Sequence, residues 1–103
     1  MKKYGLHGCL RAKPGNGESL AGLLLEAATV MRDNEACHLY LVSQDHDDPE
    51  AIYVTEVWDS KEDHDESLSM EGVPQLISAA MPLLEGKPSG GTVLDILGGK
   101  GIN

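Results

Sequence analysis

The residues with the clearest capacity for chemistry are Trp58, His64 and Ser67. They lie in the run Glu56-Val57-Trp58-Asp59-Ser60-Lys61-Glu62-Asp63-His64-Asp65-Glu66-Ser67-Leu68. Residues 51–58 alternate side chains between two faces and are rich in β-branched and aromatic types, the pattern of a strand. Ser60 then stands as an N-cap, with Asp63 in capping-box position. Trp58 therefore falls at a strand end. His64 and Ser67, three apart, share the face of the following helix that can project toward it. An aromatic wall beside an imidazole would stack on a flat ligand and exchange a proton with it near neutral pH. On this reading Trp58 and His64 are the catalytic candidates. The plain alternative is a core tryptophan and an exposed helix histidine flanked by acids.

Three other groupings offer less. His7, His38 and His64 fall on three different elements, but the His-x-His or Glu-x-x-His spacing of a metal site is missing. Asp45-His46-Asp47-Asp48 lacks the central glycine of a calcium loop and has Pro49 where a ligand is wanted, so it reads as a solvated hairpin tip. Gly98-Gly99-Lys100-Gly101 has no helix after it to turn amides toward a phosphate, and reads as a flexible or dimer-crossing tail. No metal is expected.

The elements that must position these residues follow from periodicity. Residues 3–12 read as a first strand stopped by Pro14-Gly15. Leu20, Leu23, Leu24, Ala27, Ala28 and Met31 recur at helical spacing over 18–32, with Asn16 as the expected cap and Asn34 as a left-handed stop. Strands at 37–43 and 51–58 flank a short acidic, proline-containing loop, which is a hairpin signal. The junction helix is expected over 61–70. A further helix opens with Pro74 and is cut short by Pro82, and 92–97 forms the last strand. The order β-α-β-β-α-β predicts a ferredoxin-like α+β sandwich, an antiparallel sheet with helices on one face. Both strand faces carry apolar residues, for example Leu39 and Leu41 against Tyr40 and Val42. An apolar face left in water argues for a homodimer.

Composition bounds the function. A chain of 103 residues fits one domain over 1–103, with a modest core. There is no phenylalanine, and Tyr4, Tyr40, Tyr53 and Trp58 all fall on strands, free to line a cavity while aliphatic residues build the core. Seventeen acidic against eight basic residues give a formal charge of −9, which disfavours nucleic acid and anionic lipid as partners. Cys9 and Cys37 are too few for a disulfide scaffold and read as free thiols in a reducing, cytoplasmic setting. Met1-Lys2-Lys3 leads into a strand pattern rather than a leader's apolar run, and no apolar run approaches the roughly 20 residues of a membrane helix.

The segment Leu6-His7-Gly8-Cys9-Leu10-Arg11-Ala12-Lys13-Pro14-Gly15, the strand start Cys37-His38-Leu39-Tyr40, the Glu56-Val57-Trp58-Asp59-Ser60 junction and the terminal glycines together resemble the antibiotic biosynthesis monooxygenase domain family. The resemblance runs over nearly the whole chain and rests on order and spacing. It implies two sheets packed face to face as a dimeric α+β barrel. It also implies oxidation of a quinol, anthrone or similar activated phenol by molecular oxygen, with no metal or flavin cofactor. The deprotonated substrate itself would donate the electrons. His64 and Trp58 would be catalytic, with Tyr40, His38, Ser67, His7 and Met81 contacting substrate. Ser67 stands where the family often has a helix histidine, and the first strand lacks the asparagine of the haem-degrading relatives, so haem breakdown is not expected. Two alternatives stay open: an isomerase of a small enolisable ketone, and a non-catalytic small-molecule-binding domain of the same fold.

Overall fold

A computed structural model describes residues 2–86, 88 and 90–102. The alternating segments form β1 (Lys3–Arg11), β2 (Cys37–Gln44), β3 (Ala51–Trp58) and β4 (Thr92–Ile96). The periodic ones form α1 (Gly17–Met31), α2 (Lys61–Ser67) and α3 (Val73–Ala80), the last followed by a 3₁₀ turn, Met81–Leu83, where Pro82 removes a backbone donor. The strands pair antiparallel in the order β2-β3-β1-β4. This is the expected ferredoxin-like α+β arrangement, and it sets β3 between the strands that carry Cys9 and Cys37, both free thiols.

The helices cover one sheet face. Alternation along β3 sends Ile52, Val54, Glu56 and Trp58 toward them. Two buried clusters result. Ala12, Leu20, Ile52 and Leu84 fill one end of the layer, and Met31, Trp58 and Val73 fill the other. Between them the layer holds a cavity lined mostly by aliphatic side chains.

Two helix ends differ from expectation. Asn16 makes no side-chain cap to α1. The Glu50 carboxylate, arriving from the β2–β3 turn, accepts from the Gly15 and Gly17 backbone N–H groups at 2.8 and 2.9 Å. Gly17 has no side chain because Pro49 O and Glu50 lie where its Cβ would be. Asn34 is not left-handed, since among the described residues only glycines have positive φ. Its Oδ1 accepts from Ala36 N–H at 3.0 Å, and its Nδ2 donates to Met70 Sδ at 3.3 Å. The junction helix also stops at Ser67 rather than near residue 70, and the chain then turns to Gly72, whose φ of 89° opens α3.

Among the described residues, no helix covers the opposite sheet face. Leu41 and Leu94 are 49% and 42% exposed there, in the neighbourhood of Leu39, Tyr53 and Val57. No described helix is long and apolar enough to cross a membrane.

Candidate active site

The strand-to-helix junction forms as its sequence dictates. Ser60 Oγ accepts from Asp63 N–H at 3.2 Å and donates to Asp63 Oδ2 at 2.8 Å, which starts α2 directly after β3. One turn on, His64 is brought back over the strand end. Its ring meets Trp58 edge-on at 5.8 Å and 81°, and Tyr4 at 5.7 Å. The Ser67 hydroxyl donates to the His64 carbonyl and fixes the end of the helix.

Glu56 lies at the centre of this arrangement. Strand register places Tyr40 beside it on β2 and Leu6 beside it on β1, in one row across the sheet. Trp58 Nε1–H donates to Glu56 Oε1 at 3.0 Å, and His64 Nε2 stands 3.8 Å from the same oxygen. On its other side, His64 Nδ1 is 3.0 Å from Asp65 Oδ1. Burial pushes the Glu56 carboxyl above its ordinary range, while the indole donor and the His64 charge pull it partly back. Burial, and then Glu56, push the Tyr40 hydroxyl up as well, and the same causes raise the Cys37 thiol to about 11. Both neighbours are therefore neutral at physiological pH.

Glu56, Tyr40 and His64 face a cavity of about 440 Å³ between the sheet and the helices, within the size range of small-molecule sites. Its walls are aliphatic, with Leu6 and Leu10 below and Leu24, Ala27, Leu76 and Ile77 above. The polar side chains among its described lining residues are Tyr40, Glu56, His64 and Ser67. A smaller space of about 150 Å³ adjoins it past Gly8 and Val54 and is bounded by the same Glu56 and Tyr40.

The structure divides the expected site residues. His64, Ser67, Tyr40 and Met81 all line the cavity. Trp58 does not: it is fully buried behind His64 and packed with Met31 and Val73, so its ring is no stacking wall for a ligand. His7 is on the outer face of the sheet, where its Nδ1 is 2.8 Å from Thr55 Oγ1 and its ring stacks on Tyr53. His38 is exposed at the start of β2 and pairs with Asp59 at 2.6 Å. Neither is a substrate contact of this cavity, because strand alternation turns His7 away from the helices and the irregular register at Cys37–Leu39 leaves His38 at the rim. Glu56 escaped the sequence reading. Its signal was there: a carboxylate at the i+2 and i+4 positions of Val54 and Ile52, an acid on the core face of a strand.

Comparison with known proteins places this architecture in a class. The family model for antibiotic biosynthesis monooxygenase matches residues 4–76. The chain belongs to that family. A protein of Chloroflexus aurantiacus, provisionally described as an antibiotic biosynthesis monooxygenase, is 40% identical. The match covers 98% of this chain and 99% of that one, with a TM-score of 0.86. A similarly described protein of Deinococcus radiodurans is 31% identical over 97% and 96% of the two chains, at a TM-score of 0.73. One from Nitrosomonas europaea is only 12% identical and shares the fold alone, at a TM-score of 0.85. None of the curated proteins matches the chain.

Proposed function

We propose that this chain is a cofactor-independent monooxygenase that oxidises a quinol, anthrone or similar activated phenol with molecular oxygen, working as a homodimer. The observation that carries this reading is a largely aliphatic cavity whose wall holds one carboxyl–imidazole pair, Glu56 and His64. A flat neutral ring would exchange water for Leu6, Leu24 and Ile77 and gain about 25 cal/mol for each Å² of apolar surface buried. A base at the cavity wall would then remove an O–H or activated C–H proton and leave an electron-rich anion. That anion reduces oxygen: one oxygen atom enters the ring carbon as a carbonyl, and the other leaves as water. A dry cavity favours the exchange because the negative charge passes from carboxylate to substrate without being created anew.

Among the described residues the cavity is lined by no lysine or arginine, which disfavours a phosphate on the substrate. This observation weighs against isomerisation of a phosphorylated ketone. Oxygen uptake tests the main reading. Metal- and flavin-free protein given a naphthoquinol or anthrone should consume oxygen faster than the spontaneous oxidation measured beside it. No excess over that background across several quinols and anthrones would leave a binding domain or an isomerase, and turnover of an enolisable ketone without oxygen would identify the latter.

A further inference from the structure

We propose that Glu56 Oε2 is the atom that takes the substrate's proton, with Trp58, His64 and Asp65 as positioning residues behind it. The inference deepens the monooxygenase reading and rests on it. Both contacts of the carboxyl, the Trp58 indole at 3.0 Å and the His64 imidazole at 3.8 Å, fall on Oε1. Oε2 makes no hydrogen bond to a described residue, and Glu56 lines the cavity, so Oε2 is the carboxyl oxygen we assign to the ligand. A buried acid held by one oxygen presents the other in a fixed direction. That is the geometry of a general base.

His64 is turned differently. Asp65 Oδ1, on a side chain 48% exposed, holds the Nδ1 edge, which places a ring proton on Nδ1 and leaves Nε2 facing the Glu56 carboxyl. The imidazole therefore stands at the cavity wall with Nε2 directed at Glu56, and adjusts the charge of that carboxyl. Among the described residues, the other groups around Glu56 carry no competing charge. Tyr40 and Cys37 face it from β2 as neutral groups, β1 offers Leu6, and α1 and α3 present aliphatic side chains to the cavity.

The proton accounting closes on one residue. The substrate O–H or C–H bond breaks as the Glu56 Oε2–H bond forms, and the electron pair stays on the substrate anion that reduces oxygen. The carboxylic acid then protonates the outer oxygen of the substrate peroxide. The restored carboxylate next takes the remaining proton of the oxygenated ring carbon, whose C–H electrons form the carbonyl as the O–O bond breaks, and passes it to the departing hydroxide, so water leaves with both protons and the carboxylate is ready for the next turnover.

Two experiments test this. In the oxygen-uptake assay, Glu56→Gln should lose about 10²- to 10⁴-fold of the enzyme-dependent rate while remaining folded by circular dichroism. His64→Gln should lose less, and its rising pH limb should move to higher pH, because a positive imidazole no longer draws the carboxyl down. The reverse pattern, with the limb abolished in His64→Gln and kept in Glu56→Gln, overturns the assignment. The second experiment needs no turnover. Wild-type protein should bind 1-naphthol about ten- to a hundredfold more tightly than 1-methoxynaphthalene near neutral pH, from an O–H bond to a charged acceptor. Glu56→Gln should narrow that preference to about threefold. Equal preference in both proteins overturns the role of Glu56, whereas an oxygen assay flat in the wild type with the naphthol preference intact overturns only the oxygenase reading.

Discussion

Glu56 shows how one residue can be kept at a thermodynamic loss. Its carboxyl is raised in the folded chain, so unfolded protein releases that proton first as pH climbs, and the folded state falls behind. Stability attributable to this group is therefore full below the ordinary glutamate pKa of about 4.3 and declines as pH rises toward the folded value. Glu56→Gln should accordingly raise the thermal midpoint at pH 7, with the gap closing near pH 4 in scanning calorimetry. A variant less stable than wild type at pH 7 would refute this. Trp58 acts through the same carboxyl. Trp58→Phe removes the indole donor and should push Glu56 higher still, moving its NMR titration upward, while Trp58→Ala opens a hole in the core and should cost about 3–5 kcal/mol of stability by urea unfolding. The sequence made Trp58, His64 and their convergence legible because strand alternation and a capping box are local patterns. It did not reveal that the indole is spent on Glu56, because a shared strand face allows that hydrogen bond without fixing the two rotamers that make it.

At the scale of elements, the helices were read from periodicity and their ends less well. α2 begins where Ser60 says it should, because its cap partner Asp63 is three residues away. α1 takes its cap from Glu50, which reaches Gly17 across 33 positions of sequence. No local pattern can encode such a contact. The arrangement predicts that Glu50→Ala lowers stability by about 1–2 kcal/mol in denaturant titration, while Asn16→Ala changes it by less than about 0.5 kcal/mol. Equal losses would return the cap to Asn16. The same contact ties the β2–β3 turn to the helix that roofs the cavity, so Glu50→Ala should also weaken naphthol binding without touching a cavity residue.

At the scale of the whole molecule, the fold and strand order were legible because four strands and their connections leave few antiparallel arrangements. The hollow was not: it arises from two core clusters that close at opposite ends and fail to meet. The uncovered sheet face, with Leu41 and Leu94 in the open, predicts a dimer by light scattering on a size-exclusion peak at micromolar concentration. A clean monomer mass would remove the barrel argument. The hollow itself has a mechanical consequence. Unfilled apolar space makes the native state bulkier than its unfolded chain in water, and such proteins yield to compression. Hydrostatic pressure should therefore unfold the ligand-free protein at a lower midpoint than the naphthol-saturated one, by more than the affinity alone accounts for, with the lone tryptophan, Trp58, as the fluorescent gauge of the collapse.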